Sequence, residues 1–177
     1  MNYSEELSTD QLSQILSYAG FILLSFELVK GLIIKPIKEF YANTTFGEGV
    51  PFNTYETDVD SRHKYELEAC LMYLRDFMEA LDSDDVTTIQ TFRKHRNEIA
   101  HELPHLIGFN PEKKIELLKK VDKALFKLSN YNTYIQIGAD PQFKDKGIDW
   151  DTIYGAEYAL FKSVINNVEN LKFVKNV

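Results

Sequence analysis

The most constraining feature of this sequence is an apolar pattern of helical period that runs through residues 12–33. Apolar side chains recur there at steps of three and four, at Leu12, Ile15, Leu16, Ala19, Ile22, Leu23, Phe26, Val29 and Ile33. Such steps place side chains on one face of an α-helix, and residues 8–10 offer capping side chains before it. The pattern predicts a long first helix over about residues 10–42, bent or interrupted near Pro36.

The rest of the chain has the same helical character, with turn-forming segments between the apolar stretches. Glycine, proline and asparagine cluster in residues 43–58 and 131–149, which predicts two loops. Four further helices are predicted, over about residues 59–81, 85–103, 111–130 and 150–173. These elements indicate an all-α fold, a helical bundle of about five helices. We expect a single domain over 1–177, with a core over about 10–130 to which the loop 131–149 and the helix 150–173 are appended.

The net charge of −7 limits how the protein can meet nucleic acid. An acidic protein, here with a pI near 5.1, repels phosphate backbones on average, so any such contact requires a local basic patch. The fourth predicted helix offers one candidate, which a solvated lysine-rich face would equally explain. Its lysines are Lys113, Lys114, Lys119, Lys120, Lys123 and Lys127.

Neither a disulfide nor a membrane anchor is expected. Cys70 is the single cysteine, and its apolar neighbours predict a small buried side chain. The longest apolar stretch, Tyr18 to Phe26, ends at Glu27 and is well short of the ~20 residues that a membrane-spanning helix requires. The N-terminal residues lack the basic start and apolar run of a signal peptide. We therefore expect a cytoplasmic protein with no membrane contact.

The third predicted helix interrupts its apolar face with a charge. The face runs through Ile89 and Phe92 to position 96 and continues at Ile99 and Leu103. Position 96 is an arginine, and a charge in a buried row is strongly destabilising unless it is paired or reaches water. Arg96 therefore either lies at the edge of the row with its head in solvent, or is directed towards a polar site between helices or subunits.

Polar side chains suited to phosphate chemistry surround Arg96 on this helix. Arg93, Asn97 and His101 lie four residues apart and share one helical face. Arg96 is about 140° away from His101 around a straight helix, but its long side chain can swing towards that face. Arginine binds phosphate through a planar fork, asparagine can orient a ligand, and histidine can exchange protons. Together they could cleave a phosphodiester without a metal. The neighbouring His95 is expected to face solvent.

The segment Arg96-Asn-Glu-Ile-Ala-His101 resembles the Arg-x4–6-His motif of the HEPN superfamily. Members of that family are small all-helical proteins that carry the motif late on a helix, and the residue after the arginine is often polar, as Asn97 is here. The resemblance covers the motif and, as a fold, about residues 10–130. It implies a HEPN-like helical bundle and a homodimer in which the two motifs face each other across the interface.

The resemblance also implies an activity. Active HEPN proteins are metal-independent RNA endonucleases of toxin–antitoxin, abortive-infection and other defence systems. Carried onto this chain, His101 would act as general acid or base while a ribose 2′-OH attacks the adjacent phosphate. Arg96 would stabilise charge on that phosphate, and Asn97 would position one of the two groups. Arg93 and Lys94 would contact the RNA, no cofactor is required, and a cognate antitoxin is a candidate partner.

Two alternatives remain open at this point. Many HEPN relatives are inactive, so the chain can instead be a silent binding or scaffold module of the same fold. His101-Glu-Leu-Pro-His105 also fits the H-E-x-x-H pattern of zinc-dependent hydrolases. Pro104 counts against that pattern, because a proline inside a helix costs about 3 kcal/mol and disturbs the face that two such histidines must share. A third zinc ligand would also be needed, with Glu112 and Glu116 as candidates by position alone.

Overall fold

The computed structural model describes residues 8–44, 53–102, 112–138, 140–143 and 146–171. This part of the chain forms six α-helices and no β-strand, which confirms the predicted all-α helical bundle. Five of these helices have 11 or more residues, which matches the predicted number. The sixth, α2, is a single turn that lies inside the loop predicted over 43–58. Their bounds are Thr9–Asn43 (α1), Tyr55–Asp58 (α2), Glu66–Asp76 (α3), Ser83–Glu102 (α4), Glu112–Ile137 (α5) and Ala156–Glu169 (α6).

α1 is the central helix of the bundle. It begins at a reciprocal cap, in which the Gln11 N–H donates to Ser8 Oγ at 3.2 Å and the Ser8 N–H donates to Gln11 Oε1 at 2.9 Å. One face of α1 is buried, and the helix contacts α3, α4, α5 and α6. The sequence predicts a bend or an interruption near Pro36; Pro36 lies inside the continuous α1, so the interruption is wrong. The proline removes one backbone hydrogen bond, but burial of Ile33 and Ile37 on either side keeps the chain helical.

Among the described residues, α1 is also the one helix long and apolar enough to cross a membrane, by length and composition only. The apolar character of α1 extends beyond the stretch from Tyr18 to Phe26, because apolar residues resume after Lys30. The core helix of a soluble protein passes the same test, and 44% of the most apolar window of α1 is buried inside the bundle. The apolar composition of α1 is therefore accounted for in large part by its central position.

The helix predicted over 59–81 is divided in the structure. Its residues belong to the C-cap of α2 at Val59, to a 3-10 turn at Asp60–Arg62, and to α3. α3 ends at Asp76, earlier than predicted, and Glu79 then adopts a left-handed conformation with φ of 52°. A continuous α-helix excludes that conformation, so the chain turns there towards α4.

α5 extends beyond its predicted end at residue 130. It continues to Ile137, so the first part of the predicted loop 131–149 is helical. Residues 131–137 contain no glycine or proline, so nothing in the sequence ends the helix there. At Gly138, which follows α5, an added Cβ would lie 2.5 Å from the Tyr134 carbonyl oxygen. Two 3-10 turns, Pro141–Phe143 and Trp150–Thr152, follow.

α6 begins at Ala156 rather than near residue 150, and it is part of the bundle core. It packs along α1, and Lys35 of α1 pairs with Glu157 at 3.0 Å near the start of α6. The core limit at about residue 130 and the description of this helix as appended are therefore wrong. The α6 side chains in the common core are Tyr158, Phe161, Ile165 and Val168.

Candidate functional site

α4 carries the motif, and its first turn is fixed by two aspartates. The Asp85 N–H donates to Asp82 Oδ1 at 2.8 Å, and the Asp82 N–H donates to Asp85 Oδ2 at 3.1 Å. The predicted apolar row through position 96 is wrong by one residue, because His95 occupies the core position and Arg96 lies beside it. The buried row that results consists of Ile89, Phe92, His95 and Ile99.

Arg96 is held at the edge of α4 by contacts with α1. Its side chain is 31% exposed, its guanidinium carbon lies 5.3 Å from the centroid of the Phe26 ring, and Nη2 lies 3.4 Å from Glu27 Oε1. Nη1 donates to Asn97 Oδ1 at 3.1 Å. Nε is buried and has no hydrogen-bond partner among the described residues. The guanidinium is thus fixed between helix and solvent, which suits a group that binds an anion.

The structure brings Arg96 and Asn97 together but leaves His101 apart from both. Asn97 is half-buried, whereas His101 is exposed and makes no hydrogen bond within the described part of the chain. Five residues separate Arg96 from His101 along α4, which corresponds to about 7.5 Å of rise and 140° of rotation. Within one copy the guanidinium and the imidazole therefore face different directions.

The two predicted RNA contacts lie in different environments. Arg93 Nη1 pairs with Glu68 Oε1 at 2.7 Å, and its guanidinium carbon lies 5.5 Å from the centroid of the Tyr65 ring. Glu68 is buried and also accepts a hydrogen bond from Gln90 Nε2 at 2.6 Å. Arg93 therefore joins α4 to α3 with its charge already compensated. Lys94 is exposed.

The described lysines of α5, from Lys114 to Lys127, form a face of mixed charge. Lys114 Nζ lies 3.6 Å from Glu98 Oε2 on α4, and Lys119 and Lys127 also pair with carboxylates. Lys120 and Lys123 line a cleft between α4 and α5 that also contains aspartates. This distribution favours the solvated lysine-rich face over a continuous positive surface.

His95 is the residue of this region that sequence analysis misplaced. It is 2% exposed rather than in solvent, with Nε2 2.8 Å from Tyr18 Oη and Nδ1 3.5 Å from a Glu98 carboxylate oxygen. A proton on Nδ1 points towards Glu98 and leaves Nε2 to accept from the tyrosine hydroxyl. The spacing of His95, three from Phe92 and four from Ile99, fits a buried row, but the spacing of Arg96 from the same two residues fits equally well.

We expect the buried His95 to make the free energy of unfolding depend on pH. Burial, together with the Lys114 ammonium, holds the pKa of His95 below its ordinary 6.5, against the opposing Glu98 carboxylate. Below about pH 6.5 the unfolded chain binds a proton that the folded chain excludes, so this stability is complete above that pH and declines as the pH falls. Urea unfolding between about pH 7 and 5 measures the slope.

Two variants separate this contribution from other titrating groups. His95→Gln should flatten the pH dependence, whereas His63→Gln, at a partly exposed histidine before α3, should retain it. An unchanged slope in His95→Gln would contradict the burial of a neutral imidazole at this position.

The zinc alternative gains no support from the described residues. Among them, no group of three or more histidine, cysteine, aspartate or glutamate side chains could hold a metal ion. His105 and Pro104, on which that alternative depends, lie outside the described residues. Glu116, one candidate for a third ligand, lies 4.0 Å from Lys119 instead.

Comparison with protein families, characterised proteins and solved structures finds no match to this chain. A function is therefore inferred from the residues of α4 and from their contacts with α1 and α3.

Proposed function

We propose that this protein is a metal-independent endoribonuclease of the HEPN type that acts as a toxin or defence protein. The observation that carries the proposal is the arrangement on α4, where a positioned Arg96 is followed at HEPN spacing by an exposed His101. Phe26, Glu27 and Asn97 restrain the guanidinium, so less side-chain entropy is lost when it binds a phosphate. The exposed imidazole of His101 is accessible to a substrate hydroxyl.

The proposed reaction is an intramolecular transesterification of RNA. The ribose 2′-oxygen forms a bond to the adjacent phosphorus while the P–O5′ bond breaks, which leaves a 2′,3′-cyclic phosphate and a 5′-hydroxyl. His101 accepts the 2′-OH proton or donates a proton to the departing 5′-oxygen. Arg96 donates hydrogen bonds to the phosphate oxygens as negative charge builds, and Asn97 holds Arg96 through their 3.1 Å contact.

A homodimer with a composite site belongs to the same proposal. Within one copy, the Arg96 guanidinium and the His101 imidazole face different directions, so one copy alone does not bring both groups to one phosphate. In a twofold dimer, each site takes Arg96 from one copy and His101 from the other. The cytoplasm, where RNA and a cognate antitoxin would be met, is the proposed location, and the burial of α1 in the bundle favours it over a membrane.

A second candidate function is a catalytically silent module of the same fold that binds a partner. The observation that favours it is the compensation of charge, because Glu27 lies 3.4 Å from Arg96 and Glu68 lies 2.7 Å from Arg93. A phosphate would have to compete with these carboxylates for both guanidinium groups. The two candidates differ in whether RNA is cleaved.

We expect the purified protein to cleave a mixed cellular RNA pool in excess EDTA and to leave cyclic-phosphate ends. Arg96→Lys keeps the positive charge but loses the planar fork, so its rate should fall at least about 10-fold. This variant, purified in parallel, also controls for contaminating nuclease. Cleavage that requires added zinc would favour the zinc-dependent alternative, and a folded protein without cleavage in either condition would favour the silent module.

A further inference from the structure

A row of leucines on the outer side of α1 is exposed in the folded chain. Leu12, Leu16 and Leu24 are 47%, 49% and 47% exposed, and Gly20 lies between them. With Leu28, which is partly buried against the core, these residues recur at every fourth position. Every fourth residue of a helix forms one continuous ridge, so we call these five residues the leucine ridge.

Gly20, in the middle of the ridge, has no role in packing the bundle. An ideal Cβ built on Gly20 meets no heavy atom within 4 Å, so the fold leaves open space there. A glycine inside a helix is destabilising relative to alanine. Its position among exposed leucines is explained if another backbone approaches α1 closely at this point.

The ridge is symmetric about Gly20, which indicates what approaches it. Leucines lie four residues before and after Gly20, and again eight residues before and after it. A helix that reads the same in both directions is complementary to an antiparallel copy of itself, as a twofold interface between identical subunits requires. Neither an unrelated protein nor a lipid surface calls for such symmetry.

We propose that a second copy of this chain docks on the leucine ridge, with the two α1 helices crossing antiparallel at Gly20. Ridges of this spacing interdigitate at about −50°, and glycine at the crossing point permits the close approach. Leu16 of one copy then packs beside Leu24 of the other, and the reverse. The outer face of α1 is left uncovered by the other helices, so no rearrangement of the described fold is required.

This inference deepens the proposed function, and its consequence for the site rests on that function. Glu27 follows Gly20 by seven residues, about 10 Å along α1, and it pairs with Arg96. Docking at Gly20 therefore places the Arg96–Glu27 pair of each copy at the edge of one shared interface. The site would be bordered by the second copy and partly closed to water.

Cysteine cross-linking tests the crossing point directly, without any measurement of RNA cleavage. A residue on the twofold axis faces its own counterpart, so Gly20→Cys should form a disulfide-linked dimer in most chains under mild oxidation. Ser13→Cys, exposed on α1 but seven residues from the axis, should stay monomeric under the same conditions. The native Cys70 is buried and does not compete. Equal cross-linking at both positions, or none at Gly20→Cys, would overturn the proposal.

The molecular mass in solution gives an independent test that requires no added cysteine. The wild-type chain should elute with twice its 20.5 kDa mass, and the double variant Leu16→Glu/Leu24→Glu should elute as a monomer. Leu160→Glu is the matched control, because Leu160 is 53% exposed on α6 and lies off the ridge. It should remain dimeric.

A lipid surface is the other occupant that this test distinguishes. Vesicles of phosphatidylcholine and phosphatidylglycerol are sedimented with the wild-type chain and the double variant. Sedimentation of a monomeric wild-type chain that is lost in the double variant would assign the ridge to membranes and overturn the proposal. Dimers that form without RNA cleavage would support the inference while contradicting the proposed function.

Discussion

Replacing His101 with alanine is expected to lower the rate of RNA cleavage by about 10²–10⁴-fold, the usual contribution of a general acid or base. His101 is exposed and makes no hydrogen bond to another described residue, so among these residues the substitution breaks no hydrogen bond. Surface substitutions of this kind change the free energy of unfolding by less than about 0.5 kcal/mol, so the Tm should stay within about 2 °C. Lost activity with retained stability would assign the imidazole to the chemistry.

Single-turnover cleavage of one purified RNA, measured beside thermal unfolding, gives both quantities. His63→Ala is the matched control, since it removes a histidine outside α4 and should keep full activity. If His101→Ala cleaves at the wild-type rate, the motif does not carry the activity, and the proposed function fails at its central residue.

Mixing two inactive variants tests whether the site is composite. In a mixed dimer of Arg96→Ala with His101→Ala, one site combines the intact Arg96 of one copy with the intact His101 of the other. Activity should therefore reappear on mixing, at up to about one quarter of the wild-type value if chains pair at random. Sites built within single copies would stay inactive, because each chain would lack one of its own two groups.

Much of the fold follows from apolar periodicity. The pattern from Leu12 to Ile33 predicts α1 within one residue at each end, because a buried face of helical period and a cap at Ser8 leave few other solutions. Failures occur where tertiary packing decides. Pro36 does not interrupt α1, and α6 joins the core although the loop before it suggested an appendage.

The candidate site is less predictable than the fold. The sequence indicates Arg96, Asn97 and His101 as candidate residues, but its helical pattern predicts the buried row one residue too far along and His95 in solvent. The two positions differ by 100° on the helix, and an apolar row alone cannot decide between a buried imidazole and an edge arginine when both are polar. Long-range partners settle the question: Tyr18 binds His95, and Glu27 binds Arg96. None of these pairings has a local sequence signal.

Phe92→Ala is expected to destabilise the protein by about 3–5 kcal/mol, because it removes a fully buried aromatic ring and leaves a cavity between α4 and α1. The Phe92 ring packs against the Phe26 ring at 6.1 Å between centroids, and the Arg96 guanidinium also contacts the Phe26 ring. The cavity therefore forms directly beneath the site. The urea midpoint should fall accordingly, and activity should decline under conditions where the chain is still folded, because Arg96 loses its support.

Phe77→Ala, at an exposed phenylalanine that follows α3, is the control; it should lower the free energy of unfolding by less than about 1 kcal/mol and leave activity intact. Equal costs for the two variants would show that α4 does not pack on α1 through Phe92, and the position assigned to Arg96 would then lose its physical basis.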